Sequence, residues 1–120
     1  MKYDLEERTV KFSEEVIGLL KALKLDDINR SLVTQLVRSA TSVGANYCEA
    51  NGASSKKDFR NKIHICKKEI KETKYWLQLL AKSNPEKKDS IKQSWKEAQE
   101  LTLIFSKIAT TMKTGTEEKK

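Results

Sequence analysis

Turn-making residues are scarce in this chain, with one proline and four glycines among 120 residues. An all-β domain built from many short strands needs such residues at regular intervals, so their scarcity points to few, long elements. Cysteine is nearly absent too. Cys48 and Cys66 form no CxxC pair and have no histidine cluster nearby. On adjacent helices joined near Ala53, Cys66 would lie roughly 12 Å beyond the level of Cys48. A disulfide tolerates a Cα separation of only ~7 Å. Both cysteines therefore read as small buried hydrophobes in a reducing compartment.

No apolar run approaches the ~20 residues that span a bilayer, and no signal-peptide pattern precedes the first amphipathic segment. A soluble, cytoplasmic chain is expected, with no membrane partner. The single histidine, His64, excludes a Glu-x-x-His di-iron pair, and no glycine-rich phosphate loop is present. Helical ribonucleases of the HEPN type separate Arg and His by four to six residues, whereas Arg60 and His64 have three between them. The expectation is a non-enzymatic protein without metal or cofactor.

What the chain does contain is helical periodicity. In the first segment Asp4, with Glu7 three residues on, reads as a capping box. Leu5, Thr9, Phe12, Val16, Leu19 and Leu23 then share one face, and Val10, Ile17 and Leu20 make a thinner second line. The second segment, from about Arg30 to Asn51, carries Leu32, Leu36, Ala40, Val43, Tyr47 and Ala50. Gly52 stands after it, where a left-handed residue is favoured. The third starts at Ser55, with Asp58 completing a capping box, and reaches about Lys82. Its line of Phe59, Ile63, Cys66, Ile70, Thr73, Leu77 and Leu80 keeps a four-three rhythm. The fourth has Asn84 as cap, Pro85 at the first helical position, and the face Ile91, Trp95, Ala98, Leu101, Phe105, Ile108 and Met112. Four such helices with short connections predict an all-α, antiparallel up-down-up-down four-helix bundle over residues 1–112. Residues 113–120 read as a disordered tail.

Charge is unevenly shared. Of the net +7, residues 52–83 hold nine bases against three acids, whereas residues 1–28 hold five bases and seven acids. Within the third helix Arg60, His64, Lys67, Lys71 and Lys74 step by four and three, about 100° from the apolar line. Such a ladder can follow a phosphate backbone by releasing counterions. It can equally be a solvated face. The opposite flank carries Ile65, Glu69, Glu72 and Trp76. Apolar residues outside the main stripe there, with Val10 and Ile17 on the first helix, suggest a subunit interface of a self-associating protein.

The stretch "RSATSVGANYCEANG" gathers poor helix formers inside the second helix. Gly44 alone costs roughly 1 kcal/mol against Ala there, so close packing should offset it. Arg38, Ser42 and Glu49 fall on one line with Asn46 beside it, and buried polar groups need partners. In a hairpin mirrored about Ala53, Arg38 stands near the level of Glu69. A polar network of Arg38, Ser42, Asn46, Glu49, Glu69 and Glu72 is the expectation, with an Arg38–Glu69 or Arg38–Glu72 pair, within or between chains, setting register.

"QLVRSATSVGANYCEA", followed by "KKDFRNKIHICKKEIKETKYWLQLL", resembles the four-helix-bundle family named for proteins encoded in intervening sequences of 23S ribosomal RNA genes. The matching positions are Arg38, Ser39, Ser42, Asn46, Tyr47, Cys48 and Glu49 in the second helix. In the third they are Phe59, Glu72, Thr73, Tyr75, Trp76 and Leu77. The resemblance spans about residues 5 to 112 and is most specific in the middle two helices. One departure is Ala50 where the family has Gly, with Gly appearing at Gly52. The resemblance implies a bundle that assembles into a homopentameric ring. It also implies kinship with the accessory protein of diversity-generating retroelements, which is basic, binds nucleic acid and associates with a reverse transcriptase. Two functions stay open: an oligomer that holds RNA or DNA on the basic stripe, or a protein-interaction scaffold for a reverse transcriptase or other acidic partner.

Overall fold

Long stretches of Leu, Lys and Glu, all good helix formers, produce four helices in the computed structural model. It describes residues 4–118, with side chains through residue 112. They are α1 (Leu5–Lys21), α2 (Asp27–Asn51), α3 (Lys56–Ser83) and α4 (Lys88–Glu118), with a 3-10 turn, Pro85–Lys87, between the last two. No strand occurs among the described residues. The molecule is a rod of 53 × 22 × 21 Å, and its fold is all-α.

Each helix lies against the two beside it: α1 against α2 and α4, α3 against α2 and α4. Thr9 approaches Gly44 while Ser13 Oγ donates to the Ala40 carbonyl at 3.5 Å, so advancing along α1 retreats along α2. The same reversal relates α2 to α3, where Ser39 meets Thr73, Val43 meets Cys66 and Glu49 meets Lys62. Across the diagonal, the Tyr47 and Phe105 rings from α2 and α4 stand 6.0 Å apart. The core they close contains the apolar lines of all four helices. Leu5, Phe12 and Val16 join Leu36, Ala40 and Val43, Ile63, Ile70 and Leu77, and Ile91, Leu101 and Phe105, each at most 3% exposed.

Several local expectations are corrected. Asp4 sits in the left-handed region at φ 49°, and its side chain caps nothing. A capping side chain reaches the first turn from extended backbone, so the Asp4–Glu7 box does not form at α1. Asp26 and Ser55, both extended, do cap: Asn29 N–H donates to Asp26 Oδ1 at 2.7 Å and Asp58 N–H to Ser55 Oγ at 3.0 Å. Gly52 is right-handed, φ −97°, because its N–H turns back onto the Cys48 and Glu49 carbonyls in a tightened last turn. Asn84 does not cap the helix after it. Its amide donates to the Leu80 carbonyl (3.0 Å) and to Asn29 Oδ1 (2.9 Å).

Leu20, rather than Leu19, is buried on α1. Cys48, expected inside, is exposed because it stands one residue off the inward line of Tyr47 and Ala50. Finally, α4 continues past Met112 to Glu118, where a tail was expected. Lengthening an existing helix costs far less than starting one, and no proline intervenes. Residues 119 and 120 lie outside the described residues.

Candidate nucleic-acid interface

Helix α3 divides its surface between two neighbours, and its ionised residues divide with it. The flank toward α2 carries the acids. Arg38 Nη1 donates to Glu69 Oε1 at 3.4 Å and its Nη2 to Glu72 Oε1. Glu69 is buried, and that guanidinium is the partner its carboxylate meets. Lys62 reaches back to Glu49 Oε1 at 2.7 Å, which raises the lysine pKa. The structure thus brings Arg38, Glu69 and Glu72 together, while Glu49 pairs elsewhere. Ser42 and Asn46 instead bond carbonyls of their own helix, those of Arg38 (2.7 Å) and Ser42 (2.9 Å). Beneath them Thr73 Oγ1 donates to Ser39 Oγ at 3.0 Å in the buried seam.

The flank toward α4 and the outward face carry the bases. Lys71 and His64 are exposed, and Arg60, Lys67 and Lys74 are half-buried. Lys74 is tied down at the α3–α4 groove. Its ammonium donates to Gln99 Oε1 at 2.6 Å and lies 5.4 Å from the centroid of the Trp95 ring. Both contacts orient the charge without cancelling it. Among the described residues no carboxylate pairs with His64, Lys67, Lys68 or Lys71. The third acid of α3, Asp58, sits in its first turn, where the helix dipole holds it. The outward surface therefore keeps its positive field.

The apolar residues singled out as a contact between copies divide as well. Val10 and Ile17 are 50% and 40% exposed on α1. Ile65 is half-buried. Trp76 packs against the core and donates from Nε1 to Glu72 Oε1 at 3.2 Å, so most of its surface is used within the chain.

Sequence reasoning missed three arrangements. Arg8 grips Glu97 with two hydrogen bonds (2.7 and 2.9 Å) and Glu100 with a third, joining α1 to α4; the Glu97 bond pushes the guanidinium pKa up. Asn29 and Asn84 form a buried amide pair, joined from the surface by the Ser83 hydroxyl, where the α1–α2 and α3–α4 connections meet. Lys68, exposed beside Lys71, extends the basic face beyond the predicted stripe. Each joins residues far apart in sequence or off the four-three line, so no spacing announced it.

No group of three or more His, Cys, Asp or Glu residues able to hold a metal occurs among the described residues. No helix there is long and apolar enough to cross a membrane. The Cys66 thiol, donating to the Val43 carbonyl at 3.4 Å, has its pKa pushed up by burial to about 12 and is no nucleophile.

Known proteins give the fold a context. A crystal structure of a protein of unknown function from the S23 ribosomal protein family, from Bacteroides thetaiotaomicron VPI-5482, superimposes with a TM-score of 0.77 at 30% identity. The match covers 87% of this chain and 96% of that one. No curated protein matches. The sequence model of the 23S rRNA-intervening sequence proteins matches residues 1–107, nearly the whole bundle. The chain belongs to the 23S rRNA-intervening sequence protein family.

Proposed function

We propose that this protein is a non-enzymatic, cytoplasmic accessory protein that binds RNA or DNA through the basic face of α3. In this reading it is an antiparallel up-down-up-down bundle that works as an oligomer, a homopentameric ring, repeating the face around its rim. The observation that carries the proposal is the sorting of charge on α3. Glu69 and Glu72 are engaged by Arg38 on the α2 side, and His64, Lys67, Lys68 and Lys71 are left without carboxylate partners. A ladder of cations along one helix recognises a polyanion and releases its counterions. The family's link to ribosomal RNA genes agrees with a nucleic-acid role.

The test is fluorescence-anisotropy binding of labelled structured RNA and duplex DNA across a salt series. The native protein is compared with Lys67→Glu/Lys68→Glu/Lys71→Glu at matched oligomeric mass. Binding that weakens steeply with salt and disappears in the variant supports the proposal; flat traces for both nucleic acids at low salt refute it. A second reading, a protein-interaction scaffold for a reverse transcriptase or another acidic partner, is favoured by the exposed apolar residues Val10, Ile17 and Val37 on α1 and α2. It predicts that charge reversal on α3 is harmless and that polar substitution of those three residues abolishes partner binding.

A further inference from the structure

One exposed aromatic stands inside the basic surface. Tyr75 is 54% exposed on α3. Residues three, four and seven apart share a helix face, which places Tyr75 in line with Lys68 and Lys71 on one side and Lys82 on the other. All three lysines are exposed. The tyrosine ring is also braced. It meets the Trp76 ring edge-on, with centroids 5.0 Å apart and planes at 68°. Trp76 is in turn fixed by core packing and by its hydrogen bond to Glu72. A flat ring held from one side, open on the rest and flanked by cations, has the form of a stacking platform. On a platform of that kind flanking cations hold phosphates while a base lies on the ring, and every base has a π-face to offer.

We propose that Tyr75 stacks an unpaired base, so that the α3 surface selects single-stranded nucleic acid over duplex. The inference rests on the nucleic-acid reading above and adds the strandedness of the ligand. In a duplex the bases are stacked on one another and offer no free face to a side chain on a helix surface, so only the lysine contacts remain.

The experiment measures anisotropy of a short labelled oligouridylate, which has no structure of its own, and of an RNA duplex of the same length. The proteins are native, Tyr75→Ala, Tyr75→Leu and Tyr75→Phe, each first shown to share one mass by light scattering and one melting profile. Stacking predicts that Tyr75→Ala weakens oligouridylate binding about five- to hundredfold and leaves duplex binding unchanged. Tyr75→Leu, which keeps apolar bulk without a flat ring, should resemble the alanine variant, and Tyr75→Phe the native protein. The inference is overturned if Tyr75→Ala binds oligouridylate as the native protein does, or loses both ligands equally. In either case charge reversal at Lys67, Lys68 and Lys71 would still abolish binding and the broader reading would stand. It is overturned too if Tyr75→Ala shifts the oligomeric mass and affinity falls with it, which would assign Tyr75 to a contact between copies. If neither probe binds the native protein, both proposals fall together.

Discussion

Two glycines, both inside helices, should respond in opposite ways to the same added methyl group. Gly18 lies on the exposed side of α1, and a Cβ built there meets nothing within 4 Å. Gly44 is buried in α2, where a Cβ would stand 3.2 Å from Thr9 Oγ1 and 3.3 Å from Thr9 Cβ. Replacing a helical glycine with alanine stabilises by roughly 0.5–1 kcal/mol when space is free. Gly18→Ala should gain that amount, a rise in Tm of about 2–4 °C for a domain of this size. At Gly44 the same gain is opposed by crowding. Thr9 cannot turn aside cheaply, because its hydroxyl donates to the Leu5 carbonyl at 2.7 Å and sits within 3.1 Å of the Glu6 carbonyl. The backbone of α1 would have to move instead. Overpacking of this kind costs about 1–3 kcal/mol, so Gly44→Ala should range from neutral to about 2 kcal/mol destabilising. Urea unfolding followed by circular dichroism, at one protein concentration for both variants, measures the difference directly. Equal stabilisation by the two substitutions would mean that α1 does not approach α2 at Gly44, and the account of the small-residue stretch would fail.

Thiol labelling should separate the cysteines: exposed Cys48 reacts in the native state, and buried Cys66 only after unfolding, so rapid uptake of two equivalents would refute the packing around Cys66. The Cys66 thiol ionises at about 12 in the folded chain against 9.0 ordinarily, so its protonated form favours folding below about pH 9. That contribution is lost as pH rises toward the folded value, by about 1.4 kcal/mol per pH unit. The unfolding free energy of the native protein should therefore fall more steeply than that of Cys66→Ala over this alkaline window, and parallel curves would contradict it. Asn29→Ala strands the buried Oδ1 of Asn84 and should cost about 1–3 kcal/mol, with Asn29→Ala/Asn84→Ala costing less than the sum in a double-mutant cycle. The Arg8–Glu97 pair, each side chain about a quarter exposed, should show a coupling of about 1 kcal/mol or less that shrinks with added salt; a salt-independent coupling would argue against a solvent-screened pair.

The helices were readable because burial imposes a period. On α3, Ile63, Cys66, Ile70, Thr73, Leu77 and Leu80 repeat by three and four, and all six are buried. Arg38 and Glu69 could be set at one level because only residues 52–55 separate α2 from α3, and a mirror through so short a connection is accurate to about a turn. The contact of Arg8 with Glu97 and Glu100 was not readable this way, since it depends on how the first helix closes against the last. Asn84 was misleading in a specific sense. Asparagine beside a helix end ordinarily caps it, and only the approach of Asn29, 55 residues away in the chain, turns its side chain inward. Asp4 failed for a local reason, because the backbone angle that decides whether a carboxylate can cap is not written in the residue type.

The charge on α3 follows from the same economy of partners. The helix has three acids, and a bundle needs ionic contacts to set the register of its neighbours. Glu69 and Glu72 meet that need against Arg38, and Asp58 serves the helix start. The remaining cations toward α2 behave likewise, with Lys62 joined to Glu49. Every carboxylate on α3 thus has a structural task, and Lys67 and Lys71 have no acid three or four residues away on their own helix. A solvated helix face usually mixes both signs at i, i+4 spacing, because such pairs stabilise the helix by a few tenths of a kcal/mol each. On α3 that local gain is forgone at Lys67 and Lys71, which stand at i, i+4 to each other, with Lys68 beside them. Like charges so close repel one another, and a polyanion would relieve that repulsion on binding. The sequence therefore retains a small local cost at a surface where an external anion could offset it.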